Sequence, residues 1–382
     1  MSDHVPDDVD PAGRDLRQYT DQLRPGHAIV RNVLGEWVLL RHHEVVRAAN
    51  DPVTFSSAVS AHVHVPNGLD GDAHRAARTT LDRYFEPAAL THHEPAFREV
   101  ARGLFGSLPR GVTVDAVRDI GFPFAVRAQS TWLGWPASLE TQLLGWMAAN
   151  HAATRSGDRA RTAEVAAEFD AIIRSVLAPR RALGDAAPDD ITTTLLRDEV
   201  AGRAFTDEEL VSVLRNWTGG DLGSIALCIG VVFAFLVDHP GLQRRLRSGV
   251  SDTEIDAIVD EILRIDDPFI SNRRRTTCPV DIAGATIPEG DVVKLHWTSA
   301  NRDAAVFGDP DRFDPEGNAP HNLVYGTGPH VCPGRPLATL ELRIGVQEAL
   351  AATTWIDWAP GESGERELTP VGGWAHVPVL LS

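Results

Sequence analysis

The alternation of apolar and polar positions along the 382 residues is mostly that of helices. Two helix starts stand out. Thr206 with Glu209, and Ser251 with Glu254, have the spacing of a capping box, where hydroxyl and carboxylate satisfy backbone N–H groups at the first turn. The first opens an apolar-periodic run from Asp207 to about Val237 that stops at His239-Pro240. At 1.5 Å per residue this is a helix of roughly 45 Å. The second run extends to about Asp266, ahead of Pro268, whose ring disfavours helix in the residue before it. Helices are also predicted over His42–Ala49 and Arg335–Ala351. Helical spacing prevails from Asp72 to Leu183, with breaks at Pro87, Pro109, Pro123 and Pro136. Strand-like stretches are short: Glu36–Leu40, Val280–Ala283 and Val292–Trp297. Loops are predicted over Asp51–Gly71 and Asp303–His321. The pattern predicts a mainly α protein with a small β portion, without internal repeats.

Composition narrows the class. Hydrophobic residues make up 43% and charged residues 23%, ordinary for a soluble globular enzyme. No uninterrupted apolar run reaches the eighteen or so residues of a membrane span. The opening Met1–Arg31, rich in Asp, Arg and Pro, fits neither a signal peptide nor an anchor, so a cytoplasmic protein is expected. The net charge of −17 argues against nucleic acid as the main partner. Lys294 is the only lysine, and with abundant alanine this skew fits the codon bias of a GC-rich bacterial genome. The three cysteines, Cys228, Cys278 and Cys332, suit neither a disulfide framework nor a CxxC zinc site. Cys228 and Cys278 read as small buried hydrophobes.

Cys332 reads differently. Leu323–Glu341 is LVYGTGPHVCPGRPLATLE. Gly326 and Gly328 permit a bent, close approach of backbone to a flat ligand, and Gly334 frees the turn into the helix that follows. Cys332 thus sits ahead of a helix N-terminus, where backbone N–H groups and the dipole stabilise a thiolate. His330 stands two residues away, able to meet an anionic group. The alternative is a glycine-rich turn holding a buried cysteine.

The segment resembles the haem-binding signature of the cytochrome P-450 superfamily, Phe-Gly-x-Gly-x-His-x-Cys-x-Gly. Every fixed position matches except the first, where Tyr325 stands for Phe. The resemblance runs from about Thr54 to Trp374. It implies the α+β haem-sandwich fold over residues 1–382 as a single haem domain without a fused reductase. It also implies haem b bound through the Cys332 thiolate, with Tyr325, Gly326, His330 and Gly334 around it. Glu261-Ile262-Leu263-Arg264 resembles the family's ExxR element, and Arg312 in Pro310-Asp311-Arg312-Phe313 its third member, completing a buried structural Glu-Arg-Arg cluster. His74 and Arg78 in HRAAR, and Arg274 in SNRRRTTCPVDIAG, match the cations that hold the haem propionates.

One departure concerns the long helix, where the family reads Ala-Gly-x-Asp/Glu-Thr and the last pair assists protonation during oxygen activation. Here the stretch is Thr218-Gly219-Gly220-Asp221-Leu222-Gly223-Ser224. Asp221 matches the acid and Gly219-Gly220 leave room for oxygen, but Leu222 stands at the alcohol. Thr218 and Ser224, three residues either side of Asp221, share its helical face and either can substitute. By family position the substrate-pocket walls come from His62 and its short, polar loop, Asn216, Trp217, Phe269, Ile270 and Trp374.

The resemblance implies an iron-containing monooxygenase, acting on a small natural-product-like molecule with O2 and electrons from a ferredoxin and ferredoxin reductase. Arg335, Arg343 and Arg75 are candidates for a docking patch. Two alternatives stand beside it: a peroxide-driven peroxygenase or oxidative aryl-coupling enzyme, suggested by Leu222, and a non-catalytic haem-binding sensor.

Overall fold

The computed structural model describes residues 4–5, 15–60 and 62–382. Its helices include α1 (His42–Ala49), α2 (Gly71–Leu81), α3 (Glu140–Ser156), α4 (Asp207–Asp238), α5 (Asp252–Ile265) and α6 (Arg335–Ala352). Both capping signals are realised. At α4, Glu209 N donates to Thr206 Oγ1 and Thr206 N donates back to Glu209 Oε2, satisfying two donors at once. At α5, Glu254 N donates to Ser251 Oγ, while the Glu254 carboxylate turns to Arg245. Pro87 and Pro123 do more than break helices. Each lies in the first turn of one, where its missing N–H costs nothing.

The residues form two compact units. The first comprises Met1–Ala61, Gly230–Cys332 and Ile356–Leu380. It contains a six-stranded sheet built from β1 (His4–Val5), β2 (Ile29–Asn32), β3 (Trp37–Leu39), β4 (Phe55–Ser56), β5 (Ser271–Thr276) and β6 (Val292–His296), in the order β1-β2-β3-β6-β5-β4. Strand β6 runs parallel to β3 and antiparallel to β5, with Val293 opposite both Trp37 and Arg274. The strand Phe55–Ser56 lies inside the predicted Asp51–Gly71 loop, where its pairing with Thr276 and Arg275 supplies what local sequence did not signal. Leu39, Val45, Phe55, Val293, Leu295 and Leu323 form one buried cluster, so the start of the cysteine segment is anchored in the core of the sheet. Helix α1 has no cap of its own; His42 N donates to Asp303 Oδ2.

The second unit comprises His62–Ile229, Pro333–Trp355 and Leu381–Ser382. It is built mainly of helices. Trp146 of α3 stacks on Phe169 at 3.8 Å between ring centres. By length and hydropathy α4 would suffice to cross a membrane, but most of its apolar window is buried inside the protein, as in a core helix.

Candidate functional site

In the first unit the Cys332 loop is fixed from its backbone outward. Leu323 N donates to Asn301 Oδ1, and Gly326 N to Leu323 O closes a turn with Gly326 at φ +71°. Gly328 has φ +76°, and a Cβ there would lie 2.5 Å from the Ala49 carbonyl oxygen, so only glycine fits. Cys332 N donates to Tyr325 O at 2.9 Å, drawing the loop shut. Gly334, expected to free the turn, has an ordinary φ of −77° and serves as the N-cap of α6. The cysteine is exposed, two residues ahead of that cap, where the positive helix end favours a thiolate. His330 Nε2 lies 3.0 Å from Ser57 Oγ. Arg274, on β5, is buried and donates to the Arg273 carbonyl.

The ExxR pair is also in this unit, buried as expected. Arg264 donates through Nε and Nη2 to the two Glu261 oxygens at 2.7 and 2.9 Å. Glu261 Oε1 further accepts from Asp314 N and Asn318 Nδ2. The third member corrects the expectation. The Arg312 side chain is 70% exposed and pairs with Asp314, while only its backbone carbonyl enters the cluster, accepting from Arg264. Asn318 Nδ2 and the Asp314 N–H occupy Glu261 Oε1 instead, neutral donors that bring no second cation.

In the second unit, His74 and Arg78 lie one turn apart on α2, His74 buried and Arg78 bonded to Asp82 at 2.6 Å. On α4, Gly220 is exposed, with open space where a Cβ would go, and the accessible Ser224 hydroxyl donates to its carbonyl. Gly219 differs, facing Phe169 and Trp146. Thr218 is buried and donates to Leu214 O. Leu222 is 0% exposed, a core side chain. Trp217, expected in the pocket wall, is buried among Tyr84, Phe85 and Trp132 at centroid distances of 5.1–5.4 Å, where apolar packing holds it. Asn216 donates to Val65 O, tying the His62–Gly68 loop to the helix; His62 itself is exposed.

Asp221 does not stand alone. Its Oδ2 is buried without a hydrogen-bond partner, as are both carboxylate oxygens of Glu341 on α6. Burial raises Asp221 to about 7. Glu341 is pushed well above the carboxylate range, first by burial and then by the charge of Asp221. No pattern in the sequence joined these residues, 120 positions apart, and Glu341 was missed. Ser57, in the TFSS stretch, was missed as the neighbour of His330.

The other expected wall residues belong to the first unit. Phe269 is 44% exposed. Ile270 lines a cleft with Asp267, Thr298, Arg366 and Gly373, whose roughly 20 Å³ holds little more than a water. Trp374 lies against Arg366, its indole N–H bonded to Asp266.

These residues fit a haem. An exposed cysteine at a helix start supplies the soft thiolate ligand, and a side chain is excluded beside it at Gly328. His330, Arg274, His74 and Arg78 are cationic side chains of the kind that pair with carboxylates.

Comparison with known proteins agrees. Residues 154–356 match the family model for cytochrome P450. The chain is 30% identical to the erythromycin C-12 hydroxylase of Saccharopolyspora erythraea, over 99% of its own length and 97% of the relative's. It is 29% identical to the cyclomarin C epoxidase CymV of Salinispora arenicola, covering 93% and 95% of the two chains. A solved structure of a P450 EryK mutant in complex with erythromycin B superposes with a TM-score of 0.87 at 29% identity, covering 99% and 98%. With the family model matched over more than half its length and a relative aligned from end to end, the chain belongs to the cytochrome P450 family and is a haem-thiolate monooxygenase of small organic substrates.

Proposed function

We propose that this enzyme oxidises a natural-product-scale molecule in the bacterial cytoplasm, with O2 as oxidant and electrons from a ferredoxin and its reductase. The balance is one C–H bond, one O2, two electrons and two protons in, and one C–OH bond and one water out. The observation behind this reading is the exposed Cys332 in a loop closed by the Tyr325 carbonyl and keyed by Gly328. Its relatives, the erythromycin hydroxylase and the cyclomarin epoxidase, supply the substrate scale.

Bound through Cys332, the haem supplies oxidising power that protein side chains lack. His330, Arg274, His74 and Arg78 hold its propionates, and Ser57 orients the His330 ring. Gly220 leaves space on α4, and Ser224, one turn on, is the accessible hydroxyl that positions a proton there. Thr218 and Leu222 are sealed into the core, so the alcohol role falls to Ser224. Arg335 and Arg75 are exposed and Arg343 is half-buried, and these three are the candidates for the surface that meets the electron donor.

The test begins with Cys332→Ser. Reduced, CO-treated wild type should show the strongly red-shifted band of a thiolate haem and the variant should not; an unchanged spectrum would sink the assignment. Turnover with ferredoxin and reductase, against hydrogen peroxide alone, then separates the monooxygenase from a peroxygenase.

A further inference from the structure

At the end of α5 two buried aspartates stand side by side, and only one of them is given cations. Asp267 accepts from Phe269 N at 2.7 Å and from Asn301 Nδ2 at 3.4 Å, both neutral donors. Asp266 accepts from both terminal nitrogens of Arg366, at 2.5 and 2.6 Å, and from the Trp374 indole N–H at 3.1 Å. Arg17 stands 3.4 Å from the same carboxylate and holds Asp15 at 2.7 Å. Burial works to raise both acids. At Asp266 the charges of Arg366 and Arg17 outweigh it and leave the carboxyl below its ordinary value; at Asp267 burial prevails.

The Asp266 carboxylate joins three stretches of the first unit. Arg366 and Trp374 lie on opposite strands of a hairpin, Glu365–Arg366 against Trp374–His376, and the guanidinium covers the indole at 4.4 Å. A Cβ at Gly364 would come within 2.6 Å of the indole, so the ring has no room on that side. The loop of the hairpin presses on the chain just after Asp266. Gly372 N donates to Pro268 O at 3.0 Å, and a Cβ there would lie 2.6 Å from Asp267 O. Beside this approach runs the small cleft lined by Ile270 and Thr298 from one stretch and by Val371 and Gly373 from the other. Its width is therefore fixed by how firmly the hairpin is held to the end of α5. The backbone bond at Gly372 is neutral, and the charge-assisted joint at Asp266 is the stronger hold.

We propose that Asp266 is a specificity-determining residue of this enzyme, a positioning residue whose carboxylate holds the hairpin against Phe269–Ile270 and so decides how bulky a substrate this side of the pocket admits. This rests on the reading of Ile270 and Trp374 as pocket walls. The side chains of Arg17 and Arg366 are 21% and 24% exposed. Deprived of their acid, they regain water by a small outward movement, and the hairpin that carries Arg366 moves with it. Arg264, wholly buried on Glu261, has no such way out. Loss of the Asp266 charge therefore loosens a wall, where loss of Glu261 undoes the fold.

The experiment titrates haem-loaded protein with a pair of azoles and follows the absorption of the haem. Imidazole reports the iron alone; clotrimazole, which binds through the same ring but carries bulky aryl groups, also reports the walls. In Asp266→Asn the ratio of the clotrimazole Kd to the imidazole Kd should fall by about tenfold. The imidazole Kd, the haem content and the CO-bound band should stay those of wild type, and Asp266→Glu should recover part of the wild-type ratio. Should Asp266→Asn fail to fold, Arg366→Met, which keeps a long side chain over Trp374 without its charge, should lower the ratio in the same direction. A ratio unchanged or raised in the variant, or an imidazole Kd shifted as far as that of clotrimazole, overturns the proposal. Ile270→Ala separates the joint from the reading beneath it. An unaltered ratio there overturns Ile270 as a wall; a lowered ratio there, with Asp266→Asn silent, overturns the joint alone.

Discussion

Glu261 and Glu341 are the same residue on two helices, each almost wholly buried, and their surroundings are opposite. Glu261 accepts four hydrogen bonds, two from the guanidinium of Arg264. Glu341 meets another acid. Depth is nearly equal, so the partners decide the state. Where donors and a cation are built in, a buried carboxylate becomes a fixed joint of the fold; where they are withheld, burial favours the protonated form.

The most damaging way to break this comparison is Glu261→Ala. Arg264 would remain buried without a counter-charge, a loss of about 3–5 kcal/mol. The expected outcome is little haem-loaded protein and a much lower Tm. A melt within a few degrees of wild type would show that the cluster is not an essential joint.

Leu222→Thr comes next, because it places a hydroxyl on the sealed side of α4. It removes core volume and buries a polar group, for roughly 2–3 kcal/mol, with no gain in product per reductant. Ser224→Ala should lower that coupling while leaving stability nearly intact. A coupling gain in Leu222→Thr with a silent Ser224→Ala would return the alcohol to position 222.

The third prediction concerns pH. An acid held above its unfolded value costs nothing while both states keep the proton, and destabilises the fold as pH rises past the unfolded value. For Asp221 that window runs from the ordinary 3.8 to about 7. Asp221→Asn/Glu341→Gln should therefore gain on the order of 1–3 kcal/mol relative to wild type above that window, and nothing below it. Denaturant melts at several pH values measure this; parallel curves would remove the contrast with Glu261.

The smallest effect is expected from Arg312→Ala, within about 0.5 kcal/mol, since only the backbone of Arg312 joins the Glu261 cluster. A loss comparable to that of Glu261→Ala would put its side chain back inside.

These cases also show what can be read from sequence. The ends of α4 and α5 were legible because a capping box spans four residues and acts locally. The cysteine loop was legible because its glycines, histidine and cysteine lie within ten positions. Spacing placed Glu261 and Arg264 on one face, but it could not say that Arg312 would turn outward and lend only its carbonyl. Trp217 and Leu222 sit in a helix apolar nearly all round, where periodicity does not separate the open face from the core. The Asp221–Glu341 contact belongs to tertiary packing alone, as do the strand Phe55–Ser56 and the pairing of Ser57 with His330.

The close approach at Gly328 has a kinetic meaning. Its backbone rests against the last carbonyls of α1, and Leu323 is rooted in the sheet beside that helix. The loop has no slack with which to open by itself. Opening of the loop would therefore disturb the end of α1, and a variant that frays that helix should lose haem faster than wild type, as the rate of haem transfer to an acceptor protein would show.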